Sequence, residues 1–191
     1  MKFISEQFSQ ILEVKQSKFI AYLTPYDEYE KLLHKLKAEH PKARHFVTAF
    51  RYLNEYDQIV EHSSDDGEPK GTSGKPSLMV LQGSDLINTA VIIVRYFGGT
   101  KLGTGGLVRA YSDAVNLVIE SCDFFEYKKE KELQISIAYT HVRMLEYECE
   151  TCEIRIVDKD FGDSVTYILR ASEENMTLFV HKVQRLAEIL E

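Results

Sequence analysis

The run Val91-Ile92-Ile93-Val94 most constrains how this chain folds. A strand that is apolar on both faces belongs in the middle of a sheet with both of its sides covered. Helical periodicity appears before and after it. Upstream, Tyr29, Leu32, Leu33 and Leu36 share one face of a helix that Pro41 stops. Thr24-Pro25-Tyr26-Asp27 reads as the start of that helix, with Thr24 as cap and Pro25 at the first helical position. Downstream, Thr104–Glu120 reads as a helix with Leu107, Tyr111, Ala114, Val115 and Val118 as its apolar stripe. Arg109 and Asp113 lie off that stripe, toward solvent or a ligand.

Ile11–Leu23 reads as strand, folded as a hairpin near Gln16–Lys18. His45–Tyr52 and Gln58–His62 read as a second hairpin around Asn54-Glu55. In that hairpin His45, Val47, Ala49 and Arg51 occupy one face. Pro76–Gln82 is expected to be a short helix.

Composition changes near residue 127. All four prolines and nine of the ten glycines precede it, and Tyr127–Glu132 is charged without apolar anchors. The expected domains are therefore 1–127 and 128–191. In the second, Leu133, Ile135, Ile137 and Tyr139 alternate as in a half-buried strand. Thr140 is placed to cap a helix over His141–Cys152. Glu153–Val157 and Val165–Arg170 form a hairpin with Gly162 in its turn, and Glu173–Leu190 is an amphipathic helix. The order β-α-β-β-α predicts a small ferredoxin-like sandwich, making the whole chain α+β.

The formal net charge is -7, with 14 bases against 17 acids in residues 1–127 and 9 against 13 in the remainder. Bulk electrostatic attraction to nucleic acid is excluded, so any such contact is local. Met1–Gln10 lacks the features of a secretory signal, and no apolar run has the length of a membrane helix. Three cysteines, Cys122, Cys149 and Cys152, suit reduced thiols in a cytoplasm. Cys149-x-x-Cys152 lies near the end of its helix on one stripe with Val142 and Leu145. Two buried hydrophobes explain it better than a redox pair, which a helix N-terminus would favour.

Two loops carry the chemistry. Arg95 to Arg109 (RYFGGTKLGTGGLVR) contains no acid and runs from the central strand into a helix. It matches neither a P-loop, since Thr104 stands where lysine is needed, nor a dinucleotide fingerprint, since Val108 takes the last glycine position. Its glycines nevertheless expose backbone N–H groups at a positive helix end. Arg95, Lys101 and Arg109 add cations for an oxyanion, and Tyr96 and Phe97 offer rings for stacking. The other loop has the opposite sign, with Glu61, Asp65, Asp66 and Glu68 within eight residues. Asp65, Asp66 and Glu68 could hold a divalent cation beside a phosphate. They could equally pair with the cations of the first loop. His45 suits an anion contact or a structural role, because no serine or cysteine can be set beside it from sequence.

At these loops the chain resembles the IMPACT family, with its bacterial YigZ branch. The matching residues are Ser64-Asp-Asp-Gly-Glu-Pro69, Gly71-Thr72, Gly74, Pro76, Arg95-Tyr-Phe-Gly-Gly99 and Lys101-Leu-Gly-Thr-Gly-Gly-Leu-Val-Arg-Ala-Tyr111. Ser17-Lys18-Phe19 and Ala43-Arg44-His45 are also similar, and the likeness spans roughly residues 5–125. The resemblance implies an N-terminal domain like the second domain of a small-subunit ribosomal protein. It also implies a C-terminal domain similar to a ferredoxin-like domain of elongation factor G. Eukaryotic members influence translation through a kinase acting on an initiation factor, helped by an extra N-terminal domain. This chain opens directly on the family domain.

The resemblance therefore implies a cytoplasmic, translation-associated regulatory or binding protein. Its expected partner is RNA, a ribosomal component or a protein of the translation machinery. Contact is expected through Arg95, Gly98, Gly99, Lys101, Gly103, Gly105, Gly106 and Arg109, with His45 and Arg51 beside them. Two rival readings stay open. One is a metal-dependent enzyme acting on a phosphorylated small molecule, with Asp65, Asp66 and Glu68 as metal ligands and no nucleophile assigned. The other is a protein-binding module. Neither a membrane nor any cofactor beyond a divalent cation is expected.

Overall fold

The computed structural model describes residues 1–190. The chain divides into two compact units, Met1–Tyr127 and a second from Lys128 onward. Both are α+β.

In the first unit the elements are β1 (Lys2–Phe3), β2 (Phe8–Val14), β3 (Ser17–Pro25), α1 (Tyr29–Glu39), β4 (His45–Leu53), β5 (Ile59–Ser64), α2 (Gly74–Gly83), β6 (Thr89–Tyr96), α3 (Thr104–Ile119) and β7 (Phe125–Glu126). The main sheet runs β2-β3-β6-β4-β5, antiparallel throughout. Central β6 is buried along nearly its whole length. Val91 and Ile93 pack with Phe19, Val47 and Ala49 under α3 stripe residues Leu107, Tyr111, Ala114 and Val118. Ile92 and Val94 face the other way, onto Leu32 and Leu36 of α1. At about 25 cal/mol per Å² of apolar surface, burial on two faces makes β6 the strand that contributes most to the core.

Val14 pairs with Ser17, leaving a two-residue turn in which Lys15 and Gln16 both have positive φ (47° and 64°). Two left-handed residues match the twist of the hairpin, although neither is the usual glycine or asparagine. Thr24 and Pro25 do not begin the helix. They extend β3, because both pair with β6, and a 3-10 turn over Tyr26–Glu28 intervenes before α1.

The second unit contains β8 (Glu130–Ile137), α4 (Val142–Thr151), β9 (Arg155–Phe161), β10 (Val165–Ser172), α5 (Glu173–Val183) and β11 (Ala187–Leu190). Its antiparallel sheet runs β11-β8-β10-β9, the order of a ferredoxin-like domain. Ser172 caps α5 by accepting from the Asn175 amide at 3.2 Å. The structure departs from the sequence expectation at three places in this unit. The last helix stops at Val183, and Ala187–Leu190 instead pairs with β8 from Ala187↔Ile137 to Leu190↔Gln134. An open edge on β8 offers unpaired backbone groups, and satisfying them outweighs continuing a helix. Tyr139 is not a strand residue. It lies exposed in a 3-10 turn and donates its hydroxyl hydrogen to the Gly162 carbonyl at 2.8 Å. Thr140 does not cap α4, whose cap position is His141 without a side-chain bond.

Cys149 and Cys152 are buried in the core with Leu145, Val165 and Phe179. Burial, reinforced by the Glu146 carboxylate, pushes the Cys149 thiol up to about 12, which makes thiolate chemistry unfavourable. Among the described residues no helix is long and apolar enough to cross a membrane.

Candidate functional site

Register builds the site. His45 of β4 lies opposite Arg95 of β6, and Phe19 of β3 lies opposite Arg95 on its other side. These three side chains form one row across the sheet face that carries α3. The acidic loop after β5 reaches over this row. Its Glu68 side chain, only 4% exposed, pairs with Arg95 Nη1 and accepts from the Tyr111 hydroxyl at 2.9 Å. His45 Nε2 stands 3.9 Å from the same Glu68 oxygen, and its Nδ1 donates to the Asp66 carbonyl at 2.8 Å. Gly67 lies against the imidazole, and its φ of 84° is the left-handed backbone that favours glycine.

The acidic and glycine-rich loops therefore meet at Glu68, through Arg95 and Tyr111. Arg95 is itself 5% exposed and stands over the rings of Phe19 (5.3 Å) and Phe97 (5.8 Å). Its Nε has no hydrogen-bond partner among the described residues. Arg95 is thus a buried, neutralised cation, not a free anion receptor. In sequence Tyr111 reads only as a core residue, because its tie to Glu68 spans 43 residues of chain. Burial next to a carboxylate raises the Tyr111 hydroxyl well above its ordinary range and keeps it a donor.

The other carboxylates are engaged separately. Asp65 Oδ1 accepts from the Ser73 hydroxyl at 2.7 Å and the Gly74 amide at 2.9 Å, and Oδ2 from the Gly71 amide at 2.7 Å. Partial burial raises its pKa, but bonds from Gly71, Ser73 and Gly74 outweigh this and leave it below the usual carboxylate range. Asp66 Oδ2 accepts from the Phe46 amide at 2.6 Å. Asp65, Asp66 and Glu68 thus turn to different donors. Among the described residues no group of three His, Cys, Asp or Glu is arranged to hold a metal ion.

The depressed Asp65 pKa has a defined consequence for stability. Its contribution is present above the unfolded-state value near 4 and is lost as pH falls through the lower folded value. We expect Asp65→Ala to lower stability by about 1–2 kcal/mol at pH 7 and to lose most of that effect at strongly acid pH. Urea unfolding of both proteins across pH 2–7 checks this.

Arg51 belongs elsewhere. It sits at the far end of β4, donating Nε to Glu61 at 2.7 Å and Nη1 to the Leu86 carbonyl at 2.8 Å. Face sharing put it with His45, but six residues of strand separate them by roughly 20 Å.

The glycine-rich loop divides into a packed and an open part. At Gly98 a Cβ would come within 2.0 Å of the Gln16 carbonyl carbon, and the Gly98 amide donates to Ser17 Oγ at 3.1 Å. Gly98 is therefore needed to dock the loop on the β2–β3 turn. Gly99 and Gly103 have positive φ (88° and 73°) and, like Gly105, would meet nothing with an added Cβ. Gly106 approaches only Leu102. Lys101 and Arg109 are exposed, and neither forms an ion pair among the described residues.

Residues 15–119 match the Impact N-terminal domain model, and residues 135–187 match a domain of unknown function, DUF1949. This chain belongs to the IMPACT family. An IMPACT family member of Haemophilus influenzae is 39% identical over 87% of this chain and 82% of its own length. The Escherichia coli IMPACT family member YigZ is 36% identical over 78% and 74%. A crystal structure described only as that of a hypothetical protein is 28% identical, covers 99% of this chain and 95% of its own, and has a TM-score of 0.70. The IMPACT-type segment thus contains β3 to α3, including the Glu68 junction and the glycine-rich loop.

Proposed function

We propose that this IMPACT-family protein is a translation-associated regulatory protein of the cytoplasm. It contacts RNA or a ribosomal component through the open half of the glycine-rich loop. The observation that carries this reading is the pairing state of the loop's cations. Arg95 is internally neutralised by Glu68, whereas Lys101 and Arg109 are exposed and unpaired around the glycine-rich start of α3. The first amides of a 16-residue helix point outward there, and an oxyanion is the natural complement of exposed amides beside cations. A net charge of -7 limits the contact to few phosphates. Affinity should therefore fall with salt along a shallow slope.

A ribosome and RNA titration of wild type, Lys101→Ala and Arg109→Ala tests the reading. Each variant is expected to bind several-fold more weakly, with the log–log salt slope reduced by about 0.7–0.9 per lost phosphate contact. Equal affinity in all three would overturn it. A metal-dependent reaction on a phosphorylated small molecule would draw on Asp65, Asp66 and Glu68, whose oxygens already serve the Phe46 and Gly71 amides, Ser73, Arg95 and Tyr111.

A further inference from the structure

A cavity of about 620 Å³ opens at the opposite end of the first unit's sheet from the Glu68 junction. Its volume lies within the range of ligand sites. Three carboxylates line it, Glu6, Asp27 and Glu28, and no Lys, Arg or His does. None of the three acids has an ion-pair partner among the described residues. Tyr26 and Tyr52 form one wall as a parallel stack, centroids 4.0 Å apart and planes 5° from coplanar. Thr24 also lines the cavity. It is 1% exposed, and its hydroxyl makes no hydrogen bond to any described residue. A threonine hydroxyl can both accept and donate a hydrogen bond.

We propose that this cavity receives an arginine side chain from a basic segment of a protein partner. The chemistry fits each part of the wall. An aliphatic stem lies along apolar surface while its charged head seeks polar groups. A planar guanidinium stacks on tyrosine, its N–H groups reach carboxylates, and one more serves the Thr24 hydroxyl as acceptor. The carboxylates stand on exposed residues at the rim, so a side chain can enter from a chain outside. The site is independent of the Lys101–Arg109 surface and opposite to it in charge.

The test is titration of the full-length protein with a capped Gly-Arg-Gly-Arg-Gly peptide, followed by amide NMR. The amides of Tyr26 and Leu53 are the reporters, since both are held by Asn88 at the cavity wall, at 2.9 Å each. They are expected to shift saturably. Asp27→Asn with Glu28→Gln, both on exposed residues, should weaken binding about tenfold or more. Glu13→Gln with Glu39→Gln, both exposed and at the Tyr96 end of the same unit, should leave it within about twofold, because exposed charges far from a site act weakly. The citrulline peptide, neutral but similar in shape, should not bind. Four results would overturn the proposal: no shift at millimolar peptide, equal loss in the Glu13–Glu39 variant, equal binding of the citrulline peptide, or preference for free spermidine over the arginine peptide.

Discussion

Glu68→Ala is expected to lower the unfolding free energy by about 3–5 kcal/mol. The carboxylate does not merely decorate the acidic loop. It accepts from Arg95 and Tyr111, both buried, and draws the loop over the row Phe19–Arg95–His45. Without it, a guanidinium stays in the core with no counter-charge, its Nε already lacking a partner among the described residues. An uncompensated buried charge costs far more than the pair itself contributes. Glu68→Leu combined with Arg95→Met should therefore recover most of the loss, since well-packed apolar replacements of buried ion pairs are often neutral. Denaturant unfolding of the single and double variants measures both. A single-variant loss below about 1 kcal/mol would mean that water reaches the pair and that the site is open.

The second large effect is expected at Gly98. Its replacement by alanine should cost about 3 kcal/mol or more, because a Cβ cannot coexist with backbone 2.0 Å away. The strained Lys15-Gln16 turn cannot easily yield, as both residues already hold positive φ. Either the hairpin opens or the loop lifts, breaking the Gly98 amide bond to Ser17. Gly105→Ala supplies the contrast. That glycine lies in the first turn of α3 with nothing near its Cβ position, and alanine there should gain about 0.5–1 kcal/mol. If the open amides contact an anion as proposed, Gly105→Ala should show that gain in stability and still bind less well. Thermal melts and the ribosome titration separate the two glycines.

Much of the architecture was legible along the chain because its signals are local. The double-sided burial of β6 follows from four consecutive apolar residues, and the α3 stripe follows from its spacing. The C-terminal strand was not legible, since Leu186 and Leu190 satisfy a helical period as readily as β11 uses them. What decided between them was an unpaired edge on β8, about fifty residues away in sequence.

At the site, residue type and loop membership could be read directly, but pairing could not. Fifteen residues bearing Arg95, Lys101 and Arg109 look like one cationic loop. Only the fold consumes the first cation and leaves the other two free. Ser17 and Phe19 lay outside any charge pattern, and their role appears only when β3 is set beside β6.

The linear order of side chains, by itself, determined family, most element types and the two loops that carry charge, because periodicity and motif are properties of neighbours in the chain. The tertiary structure alone decided which charges cancel, which glycine is packed and where a cavity remains. Those depend on distances between segments that share no sequence proximity, and charge interactions and steric exclusion act only across such distances.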